Sequence, residues 1–598
     1  MKPRILYSLI ALLILFSCGK QSGKSYPNAD AVYLKWTKTY RLNRDGSIRT
    51  IIEKQHKLLT YRAFQSLYGD THIFYNPDFQ KVEIQYAFTV NADGTKIGVP
   101  ENGVNDILPG WAAGSKTYSR LREKVITHTG LEQNATINCR YSVVTQPDVV
   151  PFLAGIETIG SDCPIEELSI VVELPEEETL NYQLVNASQE PQVKTKDGMR
   201  SYRWNFTDLP QKLHENYDDV IDPTVPVLAF STQKDAPAVK NWLNESVGYS
   251  AELVPEAIPY LTAQTVGLES VQQILKIQEI VVGETNTLNI PTVLLGFRSR
   301  NPQQVWLSGS GTPFEKSALL ASLLRSFGYA AELCLQYPAF IDGVNMPFFL
   351  MAEPLVKVET DGQIMLLSAT HRNSNDAGSA QSGNIVLSLQ SDFKQINTQQ
   401  PTRGVRVTGE MLFSGDNLLK GKITSEYSHS AIPYYRLLAD KNLFPDKNFN
   451  INGKADSLSA NFLSVSSQIE TKDWTVQRGD YIFVRLPESK EGLTAVAPAI
   501  LPFERETPLK MSAPVSESYQ YSIVVPDNMK LVNGLNEDVT NAIGHVRFDF
   551  GQDGNTLKLI RTVDINKEII SPEEYALFKQ LLDKWHTPKF REIILKKE

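Results

Sequence analysis

The chain has 598 residues, room for about four domains at roughly 150 residues apiece, each large enough to bury a core. Its 59 lysines and arginines against 68 aspartates and glutamates leave a net charge of -9, which supplies no positive field for a phosphate backbone and argues against nucleic acid as a partner. Hydrophobic residues at 42% and charged residues at 21% are ordinary globular usage and exclude a disordered or collagen-like chain.

The first segment carries an address. Lys2 and Arg4 precede an apolar stretch over 9–16 that ends at Leu15-Phe16-Ser17-Cys18-Gly19. It is shorter than the roughly 20 apolar residues a membrane-spanning helix needs, and residues 1–17 read as a signal peptide. A basic start, a short apolar core and a small residue before a cysteine resemble the lipobox of bacterial lipoproteins. The resemblance implies cleavage before Cys18, lipidation of its thiol and attachment to a membrane through that lipid. An ordinary secretory signal with a chance cysteine is the alternative. Residues 18–29 form a small polar tether with no acid before Asp30. Lipoproteins exported to the surface of Bacteroidota-type cells resemble one another in carrying acids directly after the cysteine. Their absence here implies a bacterial cell-envelope protein anchored in the outer membrane and facing the periplasm.

Residues 30–230 read as an antiparallel β-domain. Asn43-Arg44-Asp45-Gly46 joins strands over 31–42 and 47–60, and Asn91-Ala92-Asp93-Gly94 joins strands over 82–90 and 95–99; Asp-Gly between alternating runs is a hairpin signal. Further strands are predicted over 124–129, 134–144, 168–174, 180–185 and 201–206. Cys139 lies in a strand and Cys163 in a polar loop, so an oxidising compartment allows a disulfide between them, which the sequence neither requires nor excludes. Cys334, in a strand-like run after a helix, reads as a small buried hydrophobe rather than a nucleophile.

From 231 to 403 the apolar spacing becomes helical, with helices predicted over 236–245, 255–265 and 270–281. The run Gly309-Ser310-Gly311-Thr312-Pro313-Phe314-Glu315-Lys316-Ser317-Ala318-Leu319-Leu320 then opens another helix. Thr312 is a good N-cap, Pro313 suits the first helical position, and Glu315 completes a Thr-x-x-Glu capping box. The face Phe314, Ala318, Leu320, Ala321, Leu324 and Phe327 predicts a core-packed helix.

This stretch resembles the nucleophile region of the bacterial transglutaminase-like superfamily, whose pattern runs Gly-x-Gly-Asp-Cys-x-Asp-Lys-Ala before a leucine-rich helix. Gly309, Gly311, an acid at Glu315 and Lys316 match, while the cysteine position carries Pro313. Downstream the family places His on one strand and Asp at the end of the next, and the resembling run 351–370 puts Glu353 and Ser368 there. The resemblance therefore implies a papain-like α+β core in which nucleophile, base and orienter are all replaced.

Residues 371–403, rich in Ser, Asn, Asp, Gln and Gly, predict a loop and a boundary. Residues 404–598 read as a β-rich, sandwich-like domain with strands over 404–412, 418–426, 519–525, 545–549 and 557–563. A closing helix is predicted over 572–585, with Glu573 and Glu574 in its first turn. Residues 118–142 and 507–597 resemble the β-domains of unknown function that precede and follow transglutaminase-like domains in bacterial lipoproteins. The expected fold class is α+β, with this core between two β-domains. The expected function is a lipid-anchored binding or scaffold protein with a non-catalytic core and a protein, peptide or glycan ligand. One alternative is a protease- or transglutaminase-like enzyme using Glu315, Glu353 and His371. Another is a glycan-binding lipoprotein using aromatics such as Trp111, Trp306 and Trp474. No Gly-rich phosphate loop, His-x-x-x-His pair or CxxC occurs, so neither metal nor cofactor is predicted.

Overall fold

A computed structural model describes residues 24–217, 225–233, 236–246, 254–341, 348–360, 362–371, 383–396, 401–414, 416–433, 456–459, 461–472 and 474–598. Cys18 with the signal segment, and residues 372–382 and 397–400 of the polar stretch, lie outside the described residues.

Alternating side chains make Ala31–Leu42 and Ile48–Leu58 an antiparallel hairpin, and Gly46, at φ +83°, supplies the left-handed turn residue. The hairpin lies inside an eight-stranded sheet. Its order is Gln192–Lys196, Met199–Leu209, Ile165–Pro175, Ala31–Leu42, Ile48–Leu58, Thr136–Thr145, Gln80–Val90 and Lys96–Gly98. All neighbours are antiparallel except Ala31–Leu42 with Ile165–Pro175, which needs a long crossover. The intervening chain supplies it, building the other half of the sheet and a separate three-stranded sheet of Asp70–Tyr75, Arg122–Thr127 and Val104–Ile107.

These layers separate the cysteines. Cys139 packs with Ile73 and Ile126, whereas Cys163 packs with Tyr33, Ile165 and Leu168. Both thiols are free, so the Cys139–Cys163 disulfide that the sequence allowed is not formed. Cys334 is buried among Leu355, Leu366 and Val386, as its sequence context predicts, and burial pushes its thiol up to about 12.

Centrally, α1 (Ala236–Ser246), α2 (Ile258–Thr265), α3 (Ser270–Glu284), α4 (Pro302–Ser308) and α5 (Pro313–Ser326) precede a five-stranded antiparallel sheet. The sheet runs Gln363–Leu367, Glu353–Thr360, Ala330–Pro338, Asn384–Ser388 and Lys394–Ile396. Unlike the one-faced helix expected, α5 is buried all round from Phe314 to Leu324, including Glu315, Lys316, Ser317 and Ser322. Leu320 and Leu324 share a cluster with Val356, Val358 and Leu367, while Phe314 joins Leu333, Leu335 and Phe349 in another. A helix so enclosed must find partners for its polar side chains inside the protein.

The C-terminal region has its own eight-stranded sheet, ordered Ser457–Leu458, Phe462–Thr471, Leu419–Ser428, Arg403–Phe413, Val515–Val524, Thr556–Ile565, Gly544–Asp553 and Leu535–Thr540. It too has one parallel pair, Arg403–Phe413 with Val515–Val524. Both large sheets thus centre on a hairpin whose leading strand pairs in parallel with a strand returning much later, a correspondence of topology that no fixed sequence period reveals. A four-stranded sheet and α6 (Tyr575–His586) share the core through Ile482, Phe548, Leu582 and Trp585, giving the sandwich-like packing. α6 starts later than expected, because Pro572, Glu573 and Glu574 form a turn and Glu574 pairs with Lys567. The architecture is α+β, with β-rich N- and C-terminal regions about a central α+β region.

Candidate functional site

Asn301 and Thr312 open two consecutive helices, α4 and α5. Each is followed by proline, and each closes a reciprocal capping box, Asn301 with Gln304 and Thr312 with Glu315. Between them Gly309 takes a left-handed conformation (φ +60°) that ends α4. A Cβ on Gly311 would come within 2.9 Å of Val305 Cγ1. The local geometry of the chain therefore accounts for both glycines of the sequence pattern.

The capping box is tied into a larger clamp. Thr312 Oγ1 accepts from the Glu315 backbone N–H at 3.3 Å, and the Glu315 carboxylate accepts from the Thr312 N–H at 2.9 Å. That carboxylate is 0% exposed and also accepts from Arg300 Nε at 3.0 Å, Arg300 Nη2 at 2.9 Å, the Arg300 backbone N–H at 3.0 Å and the Tyr118 hydroxyl. Arg300 continues to Ser308 Oγ at 2.9 Å and the Ser310 carbonyl at 2.8 Å, and lies over the Tyr118 ring. Burial alone would raise the Glu315 carboxyl, but the hydrogen bonds from Arg300 and Tyr118 and the Arg300 charge outweigh it and hold the group below its ordinary value. At the next position, buried Lys316 donates to the Thr285 carbonyl at 2.7 Å and to Thr287 Oγ1 at 2.9 Å. Its charge sits at the negative end of α3, and burial lowers its pKa to about 8.

Pro313 is half-buried at the first position of α5, with neither an N–H nor a nucleophile. Glu353 is exposed at the start of its strand, opposite Gln336; α5 meets that strand through Ser317, whose hydroxyl donates to the Pro354 carbonyl at 3.5 Å. Ser368 is buried, but its Oγ closes a local turn by accepting from the Thr370 and His371 N–H groups, each at 3.1 Å. Its carbonyl accepts from Gln278 of α3 at 2.8 Å. His371 is exposed, with Nδ1 2.9 Å from Thr370 Oγ1. Among the described residues no hydrogen bond or ion pair joins Pro313, Glu353 and Ser368 to one another. Trp474 is buried in the largest apolar cluster and Trp306 packs against that cluster beside Tyr260, whereas Trp111 joins a different one, so the three do not share one packing environment. Among the described residues no group of three or more His, Cys, Asp and Glu side chains is placed to hold a metal ion, and no helix is long and apolar enough to cross a membrane.

Sequence reasoning missed the cleft beside this clamp. A cavity of about 320 Å³ opens where residues 76–78 and 117–121 of the N-terminal region face residues 295–304, and it is lined by Tyr118, Arg120, Arg298 and Arg300 among others. The available signal was Arg298-Ser299-Arg300 directly before the Asn301 capping box.

Residues 44–212 match the family model DUF3857 and residues 488–595 match DUF3858, each described as a domain of unknown function with a solved structure. The two matched segments lie in the β-rich regions on either side of the central α+β region. A solved structure from Parabacteroides distasonis, described as a "putative protease", is similar with a TM-score of 0.74 and 23% identity, covering 95% of this chain and 99% of its own. At that identity the likeness shows the fold. An M1 zinc metallopeptidase from Deinococcus radiodurans, with a TM-score of 0.17 and 9% identity over 33% of this chain and 42% of its own, is too remote to carry an argument. No curated protein matches the sequence.

Proposed function

We propose that the protein is a lipid-anchored envelope protein whose central region binds a partner and performs no acyl transfer. The observation that carries this reading is the start of α5. Acyl transfer by a thiol enzyme needs a nucleophile free at the helix start and an imidazole beside it. Here Pro313 offers no nucleophile, and Thr312 and Glu315 are bound to each other and to Arg300 and Tyr118. A carboxylate enzyme would need Glu315, Glu353 or His371 free and convergent. Glu315 is enclosed and saturated with donors, and the other two are exposed without a shared contact.

The Leu-Phe-Ser-Cys18 junction and the acid-free tether support an outer-membrane anchor facing the periplasm. Cys18→Ala should move the protein from the membrane to the soluble fraction or leave it unprocessed; unchanged membrane association and mass would remove the anchor from the reading. The lipidated protein, extracted in detergent, should neither hydrolyse peptide or amide substrates nor transfer from glutamine donors. Sustained turnover lost in Glu353→Ala or His371→Ala would make it an enzyme instead.

A further inference from the structure

The geometry points to the cleft beside the Glu315 clamp as a binding site for a single carboxylate of a peptide ligand, with Arg298 as the residue that receives it. The inference rests on the reading of the central region as a binding module, and it gives that module its ligand class.

Three guanidinium groups line the cavity of about 320 Å³, and they are not equivalent. Arg300 is neutralised by Glu315 in the bidentate pair already described. Arg120 pairs with Asp78 at 3.2 Å. Arg298 is exposed and makes no side-chain hydrogen bond or ion pair among the described residues, although it lies on the wall of the same cleft. The cleft therefore carries one positive charge with no counter-charge among the described residues. Its remaining lining includes neutral polar groups, Asn76, Thr117, Ser299 and Gln304, that can hydrogen-bond a peptide. The volume falls at the small end of ligand sites, enough for a short peptide end rather than a folded partner.

The backbone that presents Arg298 is held in an unfavourable conformation. Phe297 has φ +59°, a region that a bulky L-residue rarely occupies, directly after Gly296 at φ +58°. What holds it there is packing: the Phe297 ring is buried edge-on against Trp242 and Phe349, with centroids at 5.4 and 5.0 Å. Asn76 Nδ2 also donates to the Leu294 carbonyl at 2.9 Å, joining the opposite wall of the cleft to the same loop. The strain is thus placed one residue before the only one of the three lining arginines without a partner. Arginine's planar fork suits a carboxylate bidentately, and a single unmatched charge fits a carboxylate monoanion better than a phosphate dianion.

The test is calorimetric titration of the full mature chain with N-acetyl-Ala-Ala bearing a free carboxylate, its C-terminal amide, and inorganic phosphate. The free acid should bind, with the amide weaker by about tenfold or more, since a charge-assisted pair is lost. Arg298→Ala should weaken the acid by a similar factor while leaving the unfolding midpoint unchanged, because the side chain holds nothing else; Arg298→Lys should fall between. Equal binding of acid and amide, full affinity in Arg298→Ala, tighter binding of phosphate, or no binding of any probe at millimolar concentration would each overturn the inference. Turnover of the peptide with Arg298-dependent affinity would instead refute the non-catalytic reading and keep the site.

Discussion

Glu315→Ala should destabilise the central region by about 3–5 kcal/mol, the usual loss when one partner of a buried ion pair is removed. The reason is Arg300, whose side chain is only 12% exposed and whose guanidinium would be left beside Tyr118 with no counter-charge. The substitution also removes the acceptor for the Thr312 N–H and half of the capping box. Thr312→Ala, which removes only the cap, should lose about 0.5–2 kcal/mol. The order of the two variants in urea denaturation therefore separates a clamp from a simple cap. A Glu315→Ala loss no larger than that of Thr312→Ala would show that Arg300 finds solvent and that the junction is not held by the pair.

A second large effect is expected on acidification, in the N-terminal region. His56 is 2% exposed with neither ring nitrogen hydrogen-bonded, and His128 is 3% exposed with only Nε2 engaged, 2.9 Å from Thr71 Oγ1. Burial first, then the charge of Lys54, lowers their pKa values to about 3 and about 4. Both folded-state values lie below the ordinary 6.5, so the unfolded chain takes up protons that the folded chain refuses. Their contribution to stability is complete above pH 6.5 and is lost as pH falls from there towards 4 and 3. Each histidine adds up to about 1.4 kcal/mol per pH unit within that window. His56→Phe, which keeps an aromatic ring beside Tyr33 and Tyr68 but removes the titrating group, should flatten the decline in unfolding free energy between pH 6.5 and 5. An identical slope in wild type and variant would mean that His56 is protonated in the folded state.

Local chemistry was the part of this molecule most legible in the sequence. The Asp-Gly hairpins, the helices of the 236–284 segment and the Thr312–Glu315 box depend on residues a few positions apart, and they stand where the pattern puts them. The clamp was not legible, because Tyr118 and Glu315 meet only after the N-terminal region folds against the central one. The same distance in sequence hid the parallel strand pairs and the cleft. Cys139 and Cys163 were open to pairing because spacing says nothing about which side of a sheet a thiol enters. The start of α6 was misplaced because Glu573 and Glu574 suit a first helical turn as well as they suit the turn they form.

Pro313, which stands where the sequence resemblance expects a cysteine, bears most directly on what α5 is for. If its start is a structural junction, introducing a thiol there confers no activity, since Glu353 is exposed and Ser368 is committed to its own turn. The decisive measurement is turnover of peptide, amide and glutamine-donor substrates by Pro313→Cys. We expect no turnover above that of the wild type. Turnover that appears with the cysteine and vanishes again in Pro313→Cys combined with Glu353→Ala or Ser368→Ala would show that a working site had lost only its nucleophile, and would contradict this account.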